Sequence, residues 1–195
     1  MQVLEGRARE CAAPLTVARP FEEATPVVPA RPEDFTPGER PHLTQRVTGT
    51  LHGERIEAEL SLPGAHQLLN AGVAAAACEQ LAPFGLAVGR EAFAQGLAQV
   101  LWPGRFEVVE ARPWLVLDCA HNPDSARALM AALRRHLQYD RLILVLGVSK
   151  EKDVPGIARE LAAADRVVLT QAQLRRALEV ETLAERTGPV WRAFE

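Results

Sequence analysis

The sequence predicts an α/β fold whose second half is built on a largely parallel sheet, and three observations point to it. Beyond Trp102-Pro103-Gly104, apolar runs of strand length alternate with amphipathic helical stretches, the pattern of repeated βα units. Before that break the rhythm is different: a proline-rich segment, one alternating hairpin pattern and two helical stretches. With 195 residues, 48% of them hydrophobic, the chain has material for one generous core or two small ones.

The elements follow in order. From Pro20 to Pro41 there are six prolines with few large apolar residues among them, so this stretch reads as a long connection. From Arg46 to Leu62 the chain alternates, with Val47, Gly49 and Leu51, then Ile56, Ala58, Leu60 and Leu62, and a reversal at His52-Gly53-Glu54; this predicts a β-hairpin. Pro63-Gly64 ends it, and Ala65 to Leu81, rich in Ala and Leu, predicts a buried helix. A shorter helix is expected from Gly89 to Gln99, and a domain boundary follows, giving regions 1–99 and 100–195. In the second region the expected strands are Phe106–Val109, Trp114–Leu117, Leu142–Leu146 and Arg166–Thr170. The expected helices are Asp124–Leu137, Pro155–Ala164 and Glu179–Arg186, with a final strand starting at Val190.

Composition excludes several classes of partner. The formal charge is -3, from 22 Lys plus Arg against 25 Asp plus Glu, and no block of like charge would attract nucleic acid or an anionic membrane. Cys11, Cys78 and Cys119 show neither paired spacing nor clustering with histidine, which fits a reducing cytoplasm and no zinc site. Charges at Glu5, Arg7, Arg9 and Glu10 interrupt any secretory leader, and no run reaches the roughly 20 apolar residues that span a bilayer.

Four segments can carry chemistry. In Trp114-Leu-Val-Leu-Asp118-Cys-Ala-His121-Asn122-Pro123, a buried strand ends in a carboxylate just before a helix start. Ligands of open α/β sheets bind beyond such strand ends, so Asp118 can accept from ribose hydroxyls while His121 faces phosphate. The plainer alternative is that Asp118 and Asn122 only cap the helix. Pro103-Gly104-Arg105 presents a guanidinium, a planar fork suited to phosphate oxygens, at a turn before a strand. At the start of the Ala-rich helix, His66 and Asn70 are four residues apart and share a face, next to Gln67, and an asparagine amide can read an adenine edge. After the strand ending at Leu146, Gly147 permits close backbone approach, and Lys150 and Lys152 stand near by; Arg175-Arg176 follows the next strand in the same way.

Taken together and in this order, His66-Gln67 with Asn70-Ala71, Pro103-Gly104-Arg105, Asp118 to Pro123, Lys152-Asp153 and Arg176-Ala177 resemble the dihydrofolate synthase and folylpolyglutamate synthase family of the Mur ligase superfamily. The resemblance covers the chain from about His66 onward. It implies a Rossmann-like C-terminal domain preceded by the trailing part of a P-loop-type central α/β domain. It also implies ATP and Mg2+ as cofactors, with L-glutamate and dihydropteroate or folate as substrates joined through an acyl phosphate. By motif, Asn70 would contact adenine, Arg105 the phosphates, Asp118 the ribose and His121 the ribose-phosphate region, His121 being the one catalytic candidate. His66 and Gln67 are further nucleotide-side candidates, and Lys152 and Arg176 candidates for the incoming glutamate.

The departures define a second expectation. No Gly-x-x-x-x-Gly-Lys-Ser/Thr occurs, so the loop that cradles phosphates and holds magnesium is missing. The family's other magnesium ligands and its modified lysine also lie upstream of the matching region, so no metal site is expected here. Cys119 stands where a small residue is usual. The chain alone is therefore expected to be inactive and to need a P-loop-bearing N-terminal half. A Mur-type ligase of cell-wall synthesis and a non-catalytic nucleotide-binding remnant are the alternatives. A nicotinamide dehydrogenase is disfavoured because no G-x-G-x-x-G follows a strand.

Overall fold

The computed structural model describes residues 2–191, which divide into two compact units. The first comprises Met1–Pro26, Thr44–Ser61 and His66–Val100; the second comprises Val27–Leu43, Leu62–Ala65 and the chain from Leu101 onward.

In the first unit, α1 (Gln2–Glu10) precedes an antiparallel sheet of β1 (Glu22–Glu23), β2 (Gln45–Leu51) and β3 (Glu54–Leu60), followed by α2 (His66–Leu81) and α3 (Arg90–Gln99). The β2–β3 ladder runs from Gln45 opposite Leu60 to Leu51 opposite Glu54. His52 and Gly53 turn it with both φ angles positive, the combination a two-residue turn needs to match the twist of the strands. Alternation then puts Val47, Leu51, Ile56 and Leu60 inside, each worth roughly 1.5–3 kcal/mol relative to exposure. Helix α2 packs on β2 through Gln67, Ala71, Gly72 and Ala75. Gly72 is required there, since a Cβ would overlap the Arg19 carbonyl. Helix α3 covers β3 with Phe93 and Leu97, Phe93 lying 6.2 Å from the Phe21 ring.

The second unit contains β4 (Glu107–Ala111), β5 (Trp114–Leu117), α4 (Pro123–His136), β6 (Ile143–Leu146), α5 (Val154–Glu160), β7 (Arg166–Leu169) and α6 (Val180–Trp191). The unit is α/β with mixed pairing: β4 and β5 are antiparallel, β6 and β7 parallel. One face of the strands, carrying Trp114, Val116, Leu144 and Leu169, packs against a core of Ala126, Met130, Leu133, Ile157 and Leu161 from the helical layer. On the other face Leu115, Leu117, Ile143, Val145 and Val168 are exposed.

Four sequence readings need correction. The strand before Asp118 and the Ala-rich helix, both expected to be buried, are each covered on one face only: Leu115 and Leu117 are exposed on the strand, Leu69 and Val73 on the helix. The proline-rich stretch is more than a connection, because its second half is stitched into the second unit. The Ala30 N–H donates to the His136 carbonyl and the Gln138 N–H to the Ala30 carbonyl, both at 2.8 Å. The Arg112 guanidinium donates to the carbonyls of Pro32 and Phe35, and the Phe35 ring meets Trp114 edge-on at 5.7 Å. Nor does a strand begin at Val190: α6 continues through Pro189 to Trp191. Leu183 and Thr187 lie on its buried face, Thr187 donates to the Leu183 carbonyl at 2.8 Å, and Trp191 extends that face onto the core. The rest of the expected strand, 192–195, lies outside the described residues. No helix among the described residues is long and apolar enough to cross a membrane.

Candidate functional site

The site grows from two loops of the second unit that are fastened to each other. Trp102-Pro103-Gly104-Arg105 closes on itself, the Arg105 N–H donating to the Trp102 carbonyl at 3.2 Å. Proline at the second position and a glycine with φ of 73° at the third are what such a turn requires. Glu107 holds the turn from beneath: its carboxylate accepts from the Gly104 N–H at 2.5 Å and ion-pairs with Arg40.

The loop after β5 is tied to this turn at two points. The Cys119 N–H donates to the Gly104 carbonyl at 2.7 Å, and the Phe106 N–H donates to Asp118 Oδ2 at 2.8 Å. The other oxygen of Asp118 accepts from the Ala120 N–H at 2.8 Å. Each oxygen thus spends one lone pair on the backbone and keeps another, on an exposed residue. A Cβ on Gly104 would lie 2.8 Å from Cys119 Sγ, so a side chain there would require the cysteine to turn aside, in addition to the strain of the positive φ. His121 is exposed, with Nδ1 3.0 Å from the Cys119 carbonyl. Asn122 is the N-cap of α4: its Oδ1 accepts from the Ser125 N–H at 2.8 Å, while Ser125 Oγ accepts from the amides of His121 and Asn122. The capping role that the sequence left open therefore belongs to Asn122, whereas Asp118 clasps two loops together.

Arg105, Asp118 and His121 are brought together at the carboxyl end of β5. Arg105 is exposed, and its guanidinium lies 5.4 Å from the centroid of the Trp102 ring. The loops that follow β6 and β7 are laced together as a second group. The Lys150 N–H donates to the Arg176 carbonyl at 2.9 Å, and Ser149 bridges to Ala177. Lys152 Nζ is 3.7 Å from Glu151, and Asp153 caps α5 through the Gly156 N–H. The first turns of α4 and α5 touch, since a Cβ on Gly156 would lie 2.7 Å from Pro123 Cγ.

Asn70 belongs to the first unit, exposed on α2, where its amide N–H donates to Gln67 Oε1 at 2.8 Å. Gln67 is 2% exposed, and its Nε2 has no hydrogen-bond partner among the described residues. His66 begins the same helix.

Sequence reasoning missed Glu107, Trp102 and Ser125. Ser125 was findable, as the third helical residue after an Asn-Pro start. For Glu107 the only signal was its place three residues beyond a turn glycine.

Comparison with known proteins shows the family of the chain. Residues 104–193 match the family model described as Mur ligase, glutamate ligase domain. The dihydrofolate synthase/folylpolyglutamate synthase of Mycobacterium tuberculosis is 40% identical over 148 residues, 71% of this chain and 30% of that protein. The UDP-N-acetylmuramoyl-L-alanyl-D-glutamate--2,6-diaminopimelate ligase of Corynebacterium efficiens is 37% identical over 148 residues, 70% of this chain and 27% of that protein. A crystal structure of the M. tuberculosis folylpolyglutamate synthase complexed with ADP and AMPPCP superposes with a TM-score of 0.77 at 29% identity, covering 98% of this chain and 41% of that one. The chain thus spans less than a third of the length of these curated relatives. By its C-terminal domain match, its relatives and its fold, it belongs to the dihydrofolate synthase/folylpolyglutamate synthase family of the Mur ligase superfamily, which it matches over the C-terminal half only.

Proposed function

We propose that this chain forms the C-terminal wall of an ATP-dependent ligase that adds L-glutamate to dihydropteroate or folate through an acyl phosphate, and that it acts in the cytoplasm. In this reading residues 1–99 are the trailing part of the central domain and 100–195 the glutamate-ligase domain. The observation that carries it is the clasped pair of loops: Asp118, with a free lone pair on each oxygen, is locked to the turn that presents Arg105.

Asp118 would accept from the ribose hydroxyls and Arg105 would meet the phosphates, with His121 at the ribose-phosphate region. Asn70, with His66 and Gln67 beside it on α2, would read adenine. Lys152 and Arg176 would meet the carboxylates of the incoming glutamate. A guanidinium held ready against a transferring phosphoryl group stabilises charge that develops there without reorganising at the moment of reaction. Among the described residues no three His, Cys, Asp or Glu side chains converge to hold a metal, so no step through Mg2+ is assigned to this chain. The sequence holds no Gly-x-x-x-x-Gly-Lys-Ser/Thr. The reading therefore needs a P-loop-bearing half, without which no glutamate is added.

Calorimetry of the chain with ADP and ATP tests the site: binding is expected, and Asp118→Ala should weaken it about tenfold, the loss of a charge-assisted hydrogen bond. Nucleotide binding indifferent to that substitution would sink the assignment, and robust glutamate addition by the purified chain would refute the need for a partner. The similarity to the diaminopimelate ligase supports one further reading, an amino-acid ligase acting on a cell-wall precursor. Competing the two acceptor classes in the assembled enzyme decides between them.

A further inference from the structure

We propose that Trp102 is a positioning residue for Arg105, holding the guanidinium on the indole so that its in-plane N–H donors stay free for a polyphosphate; this rests on the assignment of Arg105 to phosphate. Three other arginines of the second unit that lie near its loops are committed to protein acceptors. Arg127 bonds Asp124 and Glu160, Arg40 pairs with Glu107, and Arg112 donates to two carbonyls. The Arg105 guanidinium has no carboxylate or carbonyl partner among the described residues, and what holds it is the Trp102 ring at 5.4 Å.

That arrangement follows from the local sequence. Proline and glycine at the middle of the turn fix residues 102 and 105 as its two ends, closed by the Arg105 N–H to Trp102 carbonyl bond, so the two side chains start as neighbours. The turn cannot drift, because Glu107 binds its glycine amide and Cys119 its glycine carbonyl. Trp102 is 58% exposed, so its ring is not there to fill a core. An indole face attracts the cation without using up its hydrogen-bond donors, and without cancelling its charge as a carboxylate would. The result is an arginine with restricted rotation and an uncompensated charge.

The test uses the whole 195-residue chain, titrated with ADP, tripolyphosphate and adenosine. Trp102→Ala should weaken ADP and tripolyphosphate about two- to fivefold and leave adenosine unchanged. Trp102→Phe should restore most of the affinity. Adding Trp102→Ala to Arg105→Ala should cost nothing further, because the indole acts only through the guanidinium. Unchanged polyphosphate binding in Trp102→Ala, or a full additive loss in the double variant, overturns the proposal.

A separate readout needs no ligand. Arg105→Ala should move the Trp102 indole N–H resonance, assigned by its absence in Trp102→Phe, and an unmoved signal refutes the stacking. If Arg105→Ala moves that resonance but leaves ADP and tripolyphosphate binding intact, the phosphate role of Arg105 fails and the stack stands as a structural contact alone. If the chain binds no nucleotide or polyphosphate, the site assignment fails, and with it the functional part of this proposal.

Discussion

His136 should make the second unit acid-sensitive well above the range where carboxylates titrate. The side chain is 3% exposed at the end of α4, its ring 5.9 Å from Phe106, and its Nε2 accepts the Gly64 N–H at 3.1 Å. Burial, with a smaller push from the Arg135 charge, lowers its pKa from 6.5 to about 4. Protonation also turns the acceptor into a donor facing another donor. Because the folded pKa is the lower one, the unfolded chain binds the extra proton first as pH falls. Stability is then full above about 6.5, declines down to about 4 and is level below that. The two values correspond to roughly 2 kcal/mol lost between pH 7.5 and 5, and roughly 3 kcal/mol in all. Asp34, held below its ordinary 3.8 by its bonds from Arg31, adds acid sensitivity only under that range. All three tryptophans lie in the second unit, so urea unfolding followed by tryptophan fluorescence at pH 7.5 and 5 isolates it. His136→Leu should be less stable at pH 7.5 by about 1–3 kcal/mol, because the Gly64 amide loses this buried acceptor, and should lose most of the difference between the two pH values. An unchanged midpoint in the native protein, or the same pH slope in the variant, would refute the reasoning.

Two further outcomes follow from single contacts. Asn122→Ala removes the cap of α4 and should cost about 1 kcal/mol by urea unfolding, with faster amide exchange from Cys119 to Asn122; an exchange pattern like that of the parent protein counts against the cap as the loop's anchor. Gly72→Ala forces a methyl against the Arg19 carbonyl and should destabilise the first unit by about 1–3 kcal/mol, whereas at an unobstructed helical position the same change would stabilise; a raised melting temperature overturns the close approach.

Much of the fold was legible because its signals are local. The hairpin shows in the alternation that places Val47, Leu51, Ile56 and Leu60 inside, and the β–α alternation after Arg105 in runs such as Leu142 to Leu146 followed by the helix expected from Pro155, which the structure starts at Val154. What stayed hidden depends on partners far away in the chain. Nothing near Ala30 announces its bridge to Leu137, and nothing near Arg112 announces that it reaches back to Pro32 and Phe35. Val190 reads as a strand start, yet Trp191 continues the buried face set by Leu183 and Thr187, and the helix runs on through Pro189. In the site, residue types and order pointed to Arg105, Asp118 and His121, but only the folded chain shows that Asp118 is itself a fastener, that Glu107 binds the turn and that the Trp102 ring lies against its arginine.

The outward aliphatic side chains on β5, β6 and β7 bear on how any loss of structure in this molecule is to be monitored. Leu115, Leu117, Ile143, Val145 and Val168 already meet water in the native state, so an environment-sensitive dye such as ANS has a place to bind before any helix or ladder opens. Dye brightness at neutral pH then reports folded protein. An acid titration of His136 scored by dye alone would begin from a high background, which is a physical reason to follow the tryptophans instead.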